Sequence, residues 1–205
     1  MSVGSEITTV EQLEALYSPV NPTAILKEID HIIPEYAKFI ERAPFVVIST
    51  SGPDGLDCSP RGDPAGFVRI QDDKTLLIPD RKGNNRVDTL HNILQDPRIA
   101  LLFMIPGIGN TMRVNGRAKL SIDKTLCESF AMRSNPASSV IVVTVESIYP
   151  QCPKALVRSR LWDQTAQVPR SALPSTGEMM KAIDPAFDAV TYEAEYPARI
   201  EKTIY

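Results

Sequence analysis

The residues of this chain best suited to chemistry are three cations set close together, Arg81, Lys82 and Arg86. An arginine offers a phosphate group a bidentate pair of N–H donors, and a lysine offers it a compact positive charge. Cations this close together repel one another unless an anion lies between them. The intervening residues 83–85, a glycine and two asparagines, suit either a turn around an anion or an ordinary solvated turn. The segment therefore predicts a phosphate-binding loop, with a plain surface turn as the alternative.

A short strand and an amphipathic helix are predicted on either side of this loop. Residues 75–78 read as a buried strand, and Val87, Leu90 and Leu94 recur at helical spacing before Asp96 and Pro97. A helix that starts near Asn85 directs its free N–H groups and its positive dipole end at the loop, which favours an anion there. The chain contains neither the P-loop motif nor the glycine-rich dinucleotide-binding motif, so both classes of nucleotide site are excluded.

Composition narrows the class of protein. The 205 residues include 25 acidic and 22 basic side chains, which gives no general attraction to nucleic acid or to an anionic membrane. The three cysteines form no C-x-x-C pair, which argues against a disulfide framework or a zinc site. No apolar stretch approaches the ~20 residues that span a bilayer, and residues 1–6 lack the features of a secretory signal. We expect a soluble cytoplasmic protein without nucleic-acid or membrane partners.

The pattern of apolar residues predicts a mainly β protein with peripheral helices. Strands are expected at 45–50, 56–60, 66–71, 75–78, 98–105, 111–122 and 139–146. Helices are expected at 10–17, 22–31, 34–42, 85–95, 123–132, 176–183 and 184–196. About six strands joined by hairpins favour a closed antiparallel β-barrel over a parallel sheet. A single domain is expected, with a helical segment at 1–43, the barrel at 44–162 and a helical extension at 163–205 that serves as a cover or as an oligomer contact.

The two histidines, His31 and His91, offer little catalytic potential. Neither has a partner at the spacing of a Ser-His-Asp or Cys-His arrangement, and a two-histidine metal site lacks the usual spacing. Two carboxylates, Asp63 and Asp80, are expected to orient Arg61 and Arg81 rather than to catalyse. If the chain uses a redox cofactor, that cofactor supplies the chemistry and no acid or base is needed from the side chains.

Three segments are similar to the FMN-binding split-barrel family typified by pyridoxamine 5′-phosphate oxidase. They are residues 58–68 (CSPRGDPAGFV), 79–86 (PDRKGNNR) and 113–118 (RVNGRA). The likeness runs from Pro44 to about Trp162 and is strongest to a bacterial subgroup of probable FMN-dependent enzymes. It implies a six-stranded antiparallel split barrel, a homodimer, and FMN held in each of two clefts at the dimer interface.

The resemblance also implies cofactor-binding residues. For the FMN phosphate they are Arg61, Arg81, Lys82, Asn84, Asn85 and Arg86. For the isoalloxazine they are Ser59 and the backbone near Val68 and Pro79, and for the ring or ribityl chain they are Thr111 and Arg113. Trp162 stands where the family often places an aromatic side chain of the partner subunit against the flavin; a core or interface anchor is the alternative.

Two departures from the family bear on function. Gln151 stands where relatives often have a histidine, and the C-terminal signature of pyridoxamine 5′-phosphate oxidases is absent, which disfavours pyridoxamine phosphate as substrate. The leading expectation is an FMN-dependent oxidoreductase that uses a nicotinamide or O₂ as redox partner and acts on an unidentified small molecule. The alternatives are a non-catalytic protein that binds or stores FMN or haem, and a deazaflavin-dependent reductase.

Overall fold

The computed structural model describes residues 6–205. The expectation that residues 1–6 are not a secretory signal therefore concerns a segment that lies almost entirely outside the described residues. Seven strands form one antiparallel sheet with the order β2-β1-β5-β6-β7-β4-β3. They are β1 (Phe45–Gly52), β2 (Gly55–Gly62), β3 (Arg69–Asp72), β4 (Thr75–Asp80), β5 (Arg98–Met104), β6 (Thr111–Ser121) and β7 (Ser139–Gln151).

The closed six-stranded barrel of the sequence prediction is not confirmed in that detail. The sheet has seven strands, and within residues 6–205 its two end strands, β2 and β3, are not hydrogen-bonded to each other. β3 has only four residues, and its register against β4 shifts between Ile70 and Asp72. A short strand with a bulge terminates pairing, so the sheet stays open at this edge. The prediction of a mainly antiparallel β protein with peripheral helices is confirmed.

Within residues 6–205, eight α-helices surround the sheet. They are α1 (Val10–Glu14), α2 (Pro22–Leu26), α3 (Pro34–Arg42), α4 (Asp88–Gln95), α5 (Lys124–Ser129), α6 (Lys154–Ser159), α7 (Thr176–Ile183) and α8 (Ala189–Thr203). The predicted bounds of α3 are confirmed, whereas α1 and α2 are shorter than predicted and α8 begins and ends later. Ser175 and Glu178 form the predicted capping box of α7. No helix within residues 6–205 combines the length and apolar character needed to cross a membrane.

The central strands carry the core. In β6, the inward-facing Met112, Val114 and Ala118 are buried, as the alternation of the sequence predicts. The pairing of β6 with β7 shifts between Asn115 and Gly116. A Cβ atom at Gly116 would lie 2.0 Å from the carbonyl oxygen of Thr144, so the close approach of β7 requires a glycine there. β7 pairs with β6 on one side and with β4 on the other. This pairing positions the end of β4, which the basic loop follows in the chain.

Candidate functional site

Two adjoining clefts surround the basic loop. The main cleft has a volume of about 780 Å³ and lies among the ends of β2 and β4, the loop at 81–87, residues 138–139 and residues 204–205. The side cleft has a volume of about 550 Å³ and lies between β2, the loop and the start of α4. Five residues line both clefts, namely Pro60, Arg61, Gly83, Asn84 and Val87. The clefts are therefore two sides of one region with Arg61 and the loop between them.

Arg61 presents a cation to both clefts. Arg61 lies near the end of β2, and its guanidinium donates to the carbonyl oxygen of Pro60 at 2.9 Å and to Oγ1 of Thr89 at 3.2 Å. Both acceptors are neutral, and no carboxylate in residues 6–205 forms a salt bridge with Arg61. Lys82 is exposed beside it and likewise forms no hydrogen bond or salt bridge within that range. Arg61 and Lys82 are therefore the two cations of the region that are available to an anion.

Arg81 lines the main cleft but is held by the protein. Its Nε donates to Oδ2 of Asp63 at 2.9 Å, and its second nitrogen donates to the carbonyl oxygen of Phe130 at 2.6 Å. The Asp63 side chain is 2% exposed and that of Arg81 is 18% exposed, so this is a largely buried ion pair. Of the two carboxylates expected to orient Arg61 and Arg81, Asp63 holds Arg81. Asp80 forms no hydrogen bond or salt bridge with either arginine within residues 6–205, so the expectation for Asp80 is wrong.

Arg86 is the most exposed arginine of the loop. Its side chain is 75% exposed, and its Nε lies 2.9 Å from Oδ2 of Asp88 in the first turn of α4. The backbone N–H of Arg86 donates to Oδ1 of Asn84 at 3.1 Å, so the Asn84 side chain shapes the loop. Arg86 faces the side cleft, and Asn85 faces the main cleft. An anion at Arg86 has to compete with the carboxylate of Asp88.

The loop ends in strained backbone. Asn85 has φ 61° and Val87 has φ 51°, both in the left-handed region. Asparagine tolerates this region, whereas a β-branched valine there is an outlier. These two conformations delay the start of α4 to Asp88, three residues after the expected start near Asn85. No side chain of residues 6–205 caps the first turn of α4, so the first N–H groups of this helix remain oriented towards the loop. Strain of this kind concentrates at ligand-binding segments.

A hydroxyl–carboxylate network forms one wall of the side cleft. The hydroxyl of Ser59 donates to the Asp57 carboxylate at 2.9 Å, and buried Thr89 donates to the same carboxylate. Thr89 in turn accepts from Arg61. The network therefore fixes the orientation of the Arg61 guanidinium. The sequence gives no sign of Asp57 or Thr89 as positioning residues because their roles depend on contacts between β2 and α4.

The main cleft contains two polar side chains that lack partners. Asp80 makes no side-chain hydrogen bond within residues 6–205, and Oγ of Ser139 is buried without a partner there. Burial raises the pKa of the Asp80 carboxyl, while the positive charge of Arg61 acts in the opposite direction. Tyr205, which the sequence did not suggest, donates from its hydroxyl to Oδ1 of Asp63 at 2.7 Å. That hydrogen bond raises the pKa of Tyr205.

The structure brings most of the predicted site residues together and leaves four elsewhere. Those at the two clefts are Ser59, Arg61, Pro79, Arg81, Lys82, Asn84, Asn85 and Arg86. The other four line neither cleft. Val68 is in the core and 1% exposed, and Thr111, expected on a polar face, is 4% exposed. Arg113 donates to the Tyr149 hydroxyl at 3.0 Å, and Trp162 Nε1 donates to the carbonyl oxygen of Ile108 at 2.8 Å.

Both histidines lie away from these clefts. His31 contacts Asp30, and His91 lies on the exposed side of α4. Within residues 6–205, no group of three or more His, Cys, Asp or Glu side chains has the arrangement of a metal site. The titratable groups next to the main cleft are instead carboxylates, cations and one phenol.

Comparison with known proteins identifies a family and a shared fold. The family model described as pyridoxamine 5′-phosphate oxidase matches residues 32–152. The HupZ protein of Group A Streptococcus is 20% identical, with 59% of this chain and 94% of that chain aligned at a TM-score of 0.50. General Stress Protein 26 of Bacillus anthracis is 18% identical, with 55% and 88% aligned at a TM-score of 0.43. No curated protein matches the sequence.

Proposed function

The chain belongs to the pyridoxamine 5′-phosphate oxidase family, and from that premise we propose that it is a flavoprotein that binds FMN between β2, β4 and the loop at 81–87. The observation that carries the proposal is the pair of available cations, Arg61 and Lys82, beside a strained loop and an uncapped helix start. An anion at this place is favoured by both side-chain charges and by free N–H groups. The phosphate of FMN is such an anion.

The charges around the loop support one bound anion rather than a general basic surface. Four cations are present, Arg61, Arg81, Lys82 and Arg86. Arg81 and Arg86 are paired with Asp63 and Asp88. Only Arg61 and Lys82 remain without a salt bridge in the described residues, and two positive charges match the charge of one phosphate monoester. We therefore assign the phosphate to these two residues, with Arg81 and Arg86 in supporting roles.

The size and lining of the main cleft suit the rest of the cofactor. A volume of about 780 Å³ falls within the range of roughly 300–1,000 Å³ typical of cofactor sites. Apolar side chains of Phe67, Leu90 and Ile204 line it together with Pro79 and offer contacts to an aromatic ring system. When bound, FMN supplies hydride or electron transfer, and the protein binds and orients it. The reaction we propose is an oxidation or reduction of a small organic molecule, with a nicotinamide or O₂ as redox partner.

We further propose that the protein works as a homodimer. The N-terminal segment at 7–26 exposes many large apolar side chains to solvent, namely Ile7, Val10, Leu13, Leu16, Tyr17, Val20, Ile25 and Leu26. Exposed apolar surface of this extent is typical of an interface.

A second candidate is a protein of the same fold that binds FMN without turnover. It is favoured by the lining of the clefts, which contains no histidine or cysteine within residues 6–205. The third candidate, a deazaflavin-dependent reductase, differs from the first only in the cofactor that it prefers.

Anaerobic reduction separates these candidates. The FMN-loaded protein is mixed with NADH or NADPH, and the flavin absorbance near 450 nm is followed before and after an electron acceptor or O₂ is added. Where a nicotinamide is the redox partner, our proposal predicts bleaching followed by repeated turnover; where O₂ is the partner, bleaching requires the organic substrate instead. A protein that binds FMN but is never reduced by either nicotinamide and never turns over is the non-catalytic candidate. Binding of a deazaflavin in preference to FMN supports the third candidate.

A further inference from the structure

Asp80 and Ser139 lie directly opposite each other at the edge of the main cleft. The pairing of β4 with β7 places them in register, and both side chains line the cleft. Directly opposite residues in an antiparallel pair have Cβ atoms roughly 4.5–5.5 Å apart and share one face of the sheet. Two polar side chains therefore border the same small volume, next to the loop that carries the available cations.

Neither side chain has a hydrogen-bond partner within residues 6–205. Ser139 is 8% exposed, and its Oγ makes no hydrogen bond within residues 6–205. The half-buried Asp80 carboxylate makes none either, and its backbone carbonyl accepts from the N–H of Ser138. Native proteins rarely leave buried polar groups unpaired, so the buried hydroxyl of Ser139 needs an explanation. A serine hydroxyl can turn about χ1 among three staggered rotamers, which lets it reach a group in the cleft.

No hydrogen bond within residues 6–205 joins the side chain of Asp80 or Ser139 to another group of the main cleft. The hydroxyl of Tyr205, which lines the same cleft, donates to Asp63. The Arg61 guanidinium donates to Pro60 and Thr89 rather than to Asp80. The unpaired atoms of Asp80 and Ser139 can therefore contact a ligand.

We propose that Asp80 and Ser139 form a second subsite in the main cleft, which binds a hydroxyl group of the ligand whose phosphate is held by Arg61 and Lys82. The inference rests on the proposed function and identifies which part of the ligand is recognised. An ionised carboxylate only accepts hydrogen bonds, whereas a serine hydroxyl can donate. One ligand hydroxyl satisfies both, because its oxygen accepts from Ser139 while its hydrogen is donated to Asp80.

The position in the chain specifies the ligand class further. Asp80 directly precedes Arg81 and Lys82, so the subsite adjoins the phosphate loop rather than the far end of the cleft. A ligand that reaches both places has hydroxyl groups within a few bonds of its phosphate. The class is a polyol phosphate, of which the ribityl phosphate portion of FMN is one example.

Calorimetric titrations of the full chain with three probes test the subsite. The probes are FMN, D-ribitol 5-phosphate and inorganic phosphate, and the variant is Ser139→Ala. Loss of one neutral hydrogen bond is expected to weaken binding of FMN and of ribitol 5-phosphate by about 3–10-fold. Binding of inorganic phosphate is expected to stay unchanged, because it occupies only Arg61 and Lys82. Ser171→Ala is the matched control, since Ser171 is an exposed serine that lines neither cleft, and all three affinities should stay at the original values.

Thermal unfolding of the ligand-free variant provides the folding control. Ser139→Ala removes a hydroxyl without a partner, so its melting temperature should equal or exceed that of the unaltered protein. Unchanged affinity of the variant for FMN overturns the subsite. An equal loss for all three probes also overturns it, and a loss for FMN alone overturns the assignment to a hydroxyl of the polyol. Failure of the unaltered protein to bind FMN is a different result, which overturns the proposed function itself.

Discussion

The Nε of Arg81 lies 2.9 Å from Oδ2 of Asp63, whose side chain is 2% exposed. This buried ion pair distinguishes an arginine held by the protein from an arginine that is available to a ligand. Arg81 is held by Asp63 and by the Phe130 carbonyl oxygen, whereas Arg61 makes only neutral contacts. Removal of Arg81 should therefore affect mainly stability, and removal of Arg61 should affect mainly ligand binding.

Arg81→Ala is expected to lower the free energy of unfolding by about 3 kcal/mol, because it leaves the buried Asp63 carboxylate without a counter-charge. Urea unfolding followed by circular dichroism measures the change. Arg61→Ala is the control, and its effect on unfolding should stay below about 1 kcal/mol. Equal destabilisation by the two substitutions would show that the division between a structural and a binding arginine is wrong.

The strained residue Val87 gives a second prediction. Its φ of 51° is costly for a β-branched side chain, and asparagine adopts this conformation more easily. Val87→Asn should therefore stabilise the fold by about 1 kcal/mol. Val190→Asn on the exposed side of α8 is the comparison, since Val190 has no positive φ and its replacement should bring no gain. The melting temperatures of both variants and of the unaltered protein measure the effect. A lower melting temperature for Val87→Asn than for the unaltered protein would contradict the strain argument.

The pH dependence of stability tests the environment of Asp80. Burial raises the pKa of this carboxyl in the folded protein, so the folded state binds its proton more tightly than the unfolded state. The stabilisation that comes from this tighter proton binding is complete below the pKa of Asp80 in the unfolded chain, about 3.9. It is lost as the pH rises through the pKa of Asp80 in the folded protein. Asp80→Asn removes the charge and should raise the melting temperature at pH 7.

The advantage of Asp80→Asn should shrink towards pH 4 and vanish below it, because the carboxyl of the unaltered protein is then neutral. Melting temperatures of the two proteins between pH 3.5 and 7 measure this difference. A difference that does not depend on pH would show that Asp80 acts through shape rather than through charge.

Tyr205 provides a spectroscopic test of the main cleft. Its hydroxyl donates to Asp63, and this hydrogen bond raises the pKa of the phenol above its usual value of 10.0. A spectrophotometric titration of the unaltered protein minus that of Tyr205→Phe isolates the ionisation of this phenol. The difference curve should have its midpoint above pH 10. A midpoint at or below pH 10 is incompatible with the contact to Asp63.

Local patterns in the sequence predicted much of the sheet. The alternation of Met112, Val114 and Ala118 defines β6, and the capping box of Ser175 and Glu178 defines the start of α7. The basic loop was also predicted, because its cations are adjacent in the chain. Features of this kind depend on neighbours within a few residues, which the sequence displays directly.

The remaining features depend on contacts between distant segments. Tyr205 and Asp63 are 142 positions apart, and Asp80 meets Ser139 only through the pairing of β4 with β7. The left-handed conformation of Val87 has no local sign either, since valine disfavours it, and the start of α4 was therefore predicted three residues too early. The open edge at β3 likewise follows from how the chain packs rather than from its apolar pattern.

The central claim is that Arg61 and Lys82 hold the phosphate of a bound FMN, and a fluorescence titration of the protein with FMN tests it most directly. The account predicts saturable quenching for the unaltered protein and binding weaker by about 10–100-fold for Arg61→Ala, the scale of a charge-assisted hydrogen bond. Arg117→Ala, which removes an exposed arginine of β6 outside both clefts, should bind like the unaltered protein. Absence of saturable binding, or equal affinity of Arg61→Ala and the unaltered protein, would contradict the account.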